Sequence, residues 1–181
     1  MKTKTKSEIT QLFLAALFTA LLAVISQISI MTPVSIPLSF QIFAICLCGY
    51  TLHIKWASLS VMAYIALGLL GLPIFSGFKG GIGVLFEITG GYIIGFVPLV
   101  IICALPISEK QIFKILSGIV GVLICHIIGS IYLSVLSHTN FMSAFIASSL
   151  VFLLKDIILS VLAYYLAEKL KKHLKQNNYM N

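Results

Sequence analysis

Six long apolar runs, separated by short polar or glycine-rich breaks, dominate the sequence and cover about residues 11–31, 37–53, 56–72, 89–105, 111–137 and 143–170. A helix that crosses a bilayer needs about 20 predominantly apolar residues. The pattern therefore predicts an all-α integral membrane protein, a single domain over 1–181 with six transmembrane helices. The longest break, 73–88, is glycine-rich and reads as an outer loop. The first run follows Lys2, Lys4 and Lys6, as a secretory signal does. A cleaved signal has a shorter apolar core followed by polar sequence, whereas here the apolar sequence resumes.

Composition sharpens this picture. The chain is 60% hydrophobic and 9% charged with a mean hydropathy of +1.10, where a soluble domain carries about 25% charged residues. Six crossings leave no room for an attached catalytic or nucleotide-binding domain, so any energy used must come from a partner or an ion gradient. The net charge of +7 comes from 12 lysines against 5 acids. A nucleic-acid binder would interleave a basic face with aromatics, but these lysines lie between or outside the apolar runs. With six spans, ten of the twelve (Lys2, Lys4, Lys6, Lys55, Lys110, Lys114, Lys169, Lys171, Lys172 and Lys175) share one side. The positive-inside rule makes that side cytoplasmic, with both termini on it, in a multi-pass protein of the cell membrane. Cys46, Cys48, Cys103 and Cys125 lie inside apolar runs without zinc-like spacing, so they read as packing residues. No metal or cofactor is expected.

Several polar groups inside this apolar sequence ask for a reason. Asp156 falls about half-way along the last span, with Ser160, Ala163 and Ala167 on its side of a helix. A carboxylate at such depth normally faces a cavity or partner and marks a site. Lys155 is its neighbour, but adjacent helix residues do not face each other, which argues against simple neutralisation. Gln41, one turn into the second span, offers amide donors and an acceptor. The Gly71–Gly83 stretch contains Lys79, Gly80 and Gly81, and closely spaced glycines let backbone approach a ligand or re-enter a bundle. It lacks the order of a phosphate loop. Glu87 can offset Lys79 across that loop. Thr89-Gly90-Gly91-Tyr92 opens the fourth span, where free amides suit an anion, and His126 reads as an interhelical hydrogen-bonding residue. Small residues mark close helix approach: Ala16, Ala20 and Ala23 in the first span, and Ser117, Gly121, Cys125 and Gly129 in the fifth.

Three segments in order, Pro33-Val34-Ser35-Ile36-Pro37-Leu38-Ser39-Phe40-Gln41, Gly71-Leu72-Pro73-Ile74-Phe75 with its glycine cluster, and Thr89-Gly90-Gly91-Tyr92-Ile93-Ile94-Gly95-Phe96, resemble the BioY family. These are the biotin-binding S components of energy-coupling factor (ECF) transporters. The resemblance implies a six-helix membrane subunit that captures biotin from outside and associates with a transmembrane coupling subunit and two cytoplasmic ATPases. It implies no enzymatic activity of its own. Gln41 matches the family's glutamine and Asp156 its last-helix aspartate, while Ala16 and Ala20 resemble its docking face. Ile88 stands where the family usually has Pro, and Leu159 where it usually has Lys. The ligand's cations are then expected from Lys79 at the carboxylate end and Lys155 at the buried polar end. An S component for another small vitamin is the related alternative. An intramembrane enzyme using Asp156 as acid or base is the alternative from another class.

Overall fold

The computed structural model describes residues 2–31, 37–107 and 110–176. The connection 32–36, which carries most of the Pro-rich segment, lies outside the described residues. Helices α1 (Lys2–Ser26), α2 (Gln41–Thr51), α3 (Ile54–Leu69), α4 (Gly90–Ala104) and α5 (Gln111–Leu136) follow the first five apolar runs. The sixth run is broken into α6 (Phe141–Phe145), a π-helical stretch (Ile146–Leu150) and α7 (Val151–Gln176), with a bend of 50°.

Two departures from the sequence pattern shape the cavity. The first run stops being helical at Ser26, and β1 (Ser29–Met31) then pairs antiparallel with β2 (Pro37–Ser39). Side chains at the end of α1 account for the stop, because Ser26 and Gln27 turn to the backbone of the glycine-rich loop: Ser26 Oγ donates to Ile74 O, and Gln27 Nε2 donates to Phe75 O at 3.2 Å. In the sixth run Ser148 Oγ donates back to Ala144 O at 2.7 Å, a local bond of the kind that bends helices. By length and composition, α1 and α5 are long and apolar enough to cross a membrane, as is the bent pair if taken as one span. Helices α2, α3 and α4 have 11, 16 and 15 residues.

The core draws on α1 to α5 and α7, with α4 on α5 and α2 on α7 the most extensive contacts. The small residues of α5 turn out to be internal. A Cβ on Gly129 would come within 2.6 Å of the Tyr92 ring, and Cys125 packs on α4, its thiol 3.8 Å from Tyr92 O. Packing in lipid relies on such close approach. On α1 the pattern splits: Ala15 and Phe18 are buried, while Ala16 and Ala20 stay exposed on the opposite face.

Candidate functional site

Sequence elements far apart converge on one cavity, which is partly open to solvent. Gln41 and Ile42 of α2, Phe75, Ser76 and Lys79 of the glycine-rich loop, Tyr92, Ile93 and Phe96 of α4, His126 of α5 and Phe152, Lys155 and Asp156 of α7 all contribute to its wall. The aromatic and aliphatic lining with a few polar groups is the usual make-up of a small-molecule site.

The buried polar end is built around Asp156, only 4% exposed. His126 Nε2 lies 3.1 Å from Asp156 Oδ2, and Lys155 Nζ lies 2.8 Å from Oδ1. The sequence argument against a Lys155–Asp156 contact fails here. Adjacent helix positions do point apart, but the flexible four-carbon stem of lysine carries its ammonium back to the carboxylate. The same ammonium donates to Ser39 O at 2.7 Å, which ties the end of the hairpin to α7.

Gln41 and Tyr92 frame this end. Ser39 Oγ donates to Gln41 Oε1 at 3.0 Å, and Gln41 Nε2 donates to Tyr64 Oη at 2.8 Å. Tyr64 Oη then donates to Ile74 O at 3.0 Å. Both ends of the Gln41 amide thus already have protein partners. The Tyr92 hydroxyl reaches Ser148 Oγ at 2.9 Å and Ser149 Oγ at 2.8 Å, and Ser149 Oγ reaches Ser130 Oγ at 2.7 Å. Its ring stands edge-on to His126 at 5.6 Å.

The mouth is built from the loop. Phe75 is 2% exposed, packs edge-to-face on Tyr64 at 5.4 Å, and exchanges backbone hydrogen bonds with Lys79. That buried anchor fixes where Lys79 emerges. At the tip Phe78 takes a φ of 57°, uncommon for a bulky residue, and its N–H donates to Gln27 Oε1 at 3.0 Å. Lys79 forms an ion pair with Glu87, as the sequence suggested. Gly80 and Gly81 do not contribute to the cavity wall. A Cβ on Gly80 would come within 2.3 Å of Leu72 O, Gly81 has a φ of +90°, and its N–H donates to Gly68 O at 2.7 Å. Their role is to fold the loop, and the Gly81 amide is committed to it.

Five buried side-chain N or O atoms among the described residues lack a hydrogen-bond partner. Three of them, Ser76 Oγ, His126 Nδ1 and Asp156 Oδ1, belong to the cavity wall. The Lys155 ammonium meets Asp156 Oδ1 as a charge without hydrogen-bond alignment. An unsatisfied buried polar atom costs about 1–3 kcal/mol, so their concentration at one place marks where a polar ligand is received. The sequence reading reached Asp156 but not Ser76, and it gave His126 an interhelical hydrogen bond, which it makes with Asp156, but no place in a site. Nothing in the spacing of these residues shows that three elements meet.

Known proteins resemble this chain in sequence and in fold. A family model described as the BioY family matches residues 1–176. The chain is 37% identical over 158 residues to the probable biotin transporter BioY of Pyrococcus horikoshii, covering 87% of this chain and 94% of that protein. It is also 37% identical over 165 residues to the biotin transporter BioY of Thermotoga maritima, covering 90% and 96%. Its fold is similar to the solved S-component for biotin from an ECF-type ABC transporter, with a TM-score of 0.84 and 24% identity over 91% of this chain and 92% of that one.

Proposed function

This chain belongs to the BioY family, and from that premise we infer that it is the substrate-binding membrane subunit of a biotin importer. The observation that carries the reading is the Lys155–Asp156–His126 cluster inside an otherwise apolar cavity. A ureido ring presents two N–H donors and one carbonyl acceptor on an apolar bicycle. An ionised carboxylate has about four lone-pair positions, and an ammonium has three hydrogens. Asp156 therefore keeps acceptor capacity beyond His126, and Lys155 keeps a donor beyond Ser39. Ile42, Ile93, Phe96 and Phe152 suit the bicycle and the alkyl tail. Lys79, at the mouth, suits the tail carboxylate.

Six crossings with cytoplasmic termini account for ten of twelve lysines lying on one side. The three shorter helices then cross with help from the hairpin and the glycine-rich loop. Non-helical backbone is tolerated at that depth only where it is buried in protein or lines a cavity, and both segments border the cavity. Transport energy comes from two cytoplasmic ATPases through a transmembrane coupling subunit, which docks on the exposed Ala16 and Ala20 face of α1. Binding itself then needs neither ATP nor partners.

Calorimetry on the purified protein in detergent tests the assignment. Stoichiometric biotin binding without ATP is expected, and no binding by folded protein overturns it. For docking, Ala16→Trp should block close helix approach, so uptake falls while biotin affinity stays within about twofold. Co-purification of Ala16→Trp with the coupling subunit at the native ratio rejects that face.

A further inference from the structure

We propose that His126 is a ligand-contacting residue that selects the substrate by accepting a hydrogen bond from one of its ring N–H groups at Nδ1. The inference rests on the reading of the cavity as a biotin site. His126 is 2% exposed and forms part of the cavity wall. Its Nε2 lies 3.1 Å from Asp156 Oδ2. An ionised carboxylate only accepts, so Nε2 carries the hydrogen. The Lys155 ammonium, 2.8 Å from Asp156 Oδ1, already faces the carboxylate, and a second hydrogen placed on Nδ1 would be a buried donor with no acceptor. In a neutral ring with its hydrogen on Nε2, the other nitrogen is an acceptor. That nitrogen, Nδ1, is buried and has no partner in the protein.

Two neighbours hold the ring in place. Asp156 fixes one edge, and Tyr92 stands at 84° to the ring plane, itself fixed by Ser148 and Ser149. The ring therefore holds an oriented, unpaired Nδ1 on a residue that lines the cavity together with Asp156. A ligand satisfies it only with an N–H or O–H donor. A ring with oxygen in place of that N–H leaves the buried nitrogen unpaired and faces it with a second acceptor. A site built to pair a polar group rejects the analogue that lacks it far more strongly than an apolar pocket rejects a changed methylene.

The test uses biotin and its two carbamate analogues, each with one ureido N–H replaced by oxygen, titrated into the full-length protein in detergent. His126→Gln keeps an amide that can donate to Asp156 from the Nε2 position but has no acceptor at the Nδ1 position. We expect it to weaken biotin about tenfold and not to weaken the one carbamate that lacks the contacted N–H, because the opposing acceptor is gone. His126→Asn, whose carbonyl can take the Nδ1 place, should retain discrimination between the carbamates. Equal losses for biotin and both carbamates in His126→Gln would show that the histidine only positions Asp156, and the inference would fail. Should His126→Gln not fold, the native protein decides: both carbamates binding as tightly as biotin overturns the inference. Failure of the native protein to bind biotin at all overturns the biotin reading itself, a result separable from the others.

Discussion

The two ends of the cavity hold charge in opposite ways. At the inner end the Asp156 and His126 side chains are 5% and 2% exposed, and the Lys155 side chain that reaches them is 24% exposed. At the mouth the Lys79 and Glu87 side chains are 32% and 44% exposed, and each is the other's partner. A buried pair that loses one member is destabilised by about 3–5 kcal/mol because the remaining charge is uncompensated. An exposed pair is worth about 0–1 kcal/mol and weakens with salt. The inner end is thus suited to recognition by fixed geometry, and the mouth to attraction that can be exchanged.

The sharpest break in this contrast is Asp156→Asn. It replaces charge-assisted bonds, worth about 1.5–3 kcal/mol each, by neutral ones, so biotin affinity should drop about tenfold to a hundredfold by calorimetry. Unchanged affinity in a folded variant would remove Asp156 from the site. Lys155→Ala comes next, with an expected loss of about tenfold that is the same for biotin and for its carboxylate-blocked amide, because Lys155 acts at the ureido end. Lys79→Ala should weaken biotin by only about three- to fivefold and the amide hardly at all, with the difference shrinking at high salt. Equal losses for the two ligands would place Lys79 away from the carboxylate.

The smallest effect tests the mouth from its other side. Glu87 competes with an incoming carboxylate for the Lys79 ammonium, so Glu87→Gln should raise biotin affinity about twofold. A decrease would mean that Glu87 holds the loop in its binding geometry rather than competing with ligand.

The same contrast governs what the sequence could reveal. Helices in lipid announce themselves by long apolar runs, and an acid inside one stands out, which is why five helices and Asp156 are legible directly. The Lys79–Glu87 pair is also legible, because its members are eight residues apart in one loop. The inner cluster is not. His126 and Asp156 are thirty residues apart, and the Tyr92–Ser148–Ser149–Ser130 hydroxyls come from three elements whose meeting depends on packing alone. The hairpin at 29–39 and the break at 146–150 are hidden for a related reason. What stops the helix there is serine and glutamine side chains bonding to backbone, far along the chain at Ser26 and Gln27 and one turn back at Ser148, and run length announces neither.

Those side chains give α1 a second property. Ser26 and Gln27, at its C-terminal end, hold the glycine-rich loop at Ile74 O, Phe75 O and Phe78 N. Ala16 and Ala20 are exposed farther down the same helix, and Ala16 lies about 16 Å from Gln27 at the rise of an α-helix. On the docking proposed at Ala16 and Ala20, a tilt of α1 would carry the glycine-rich loop with it, because a single helix joins that face to the side chains that hold the loop.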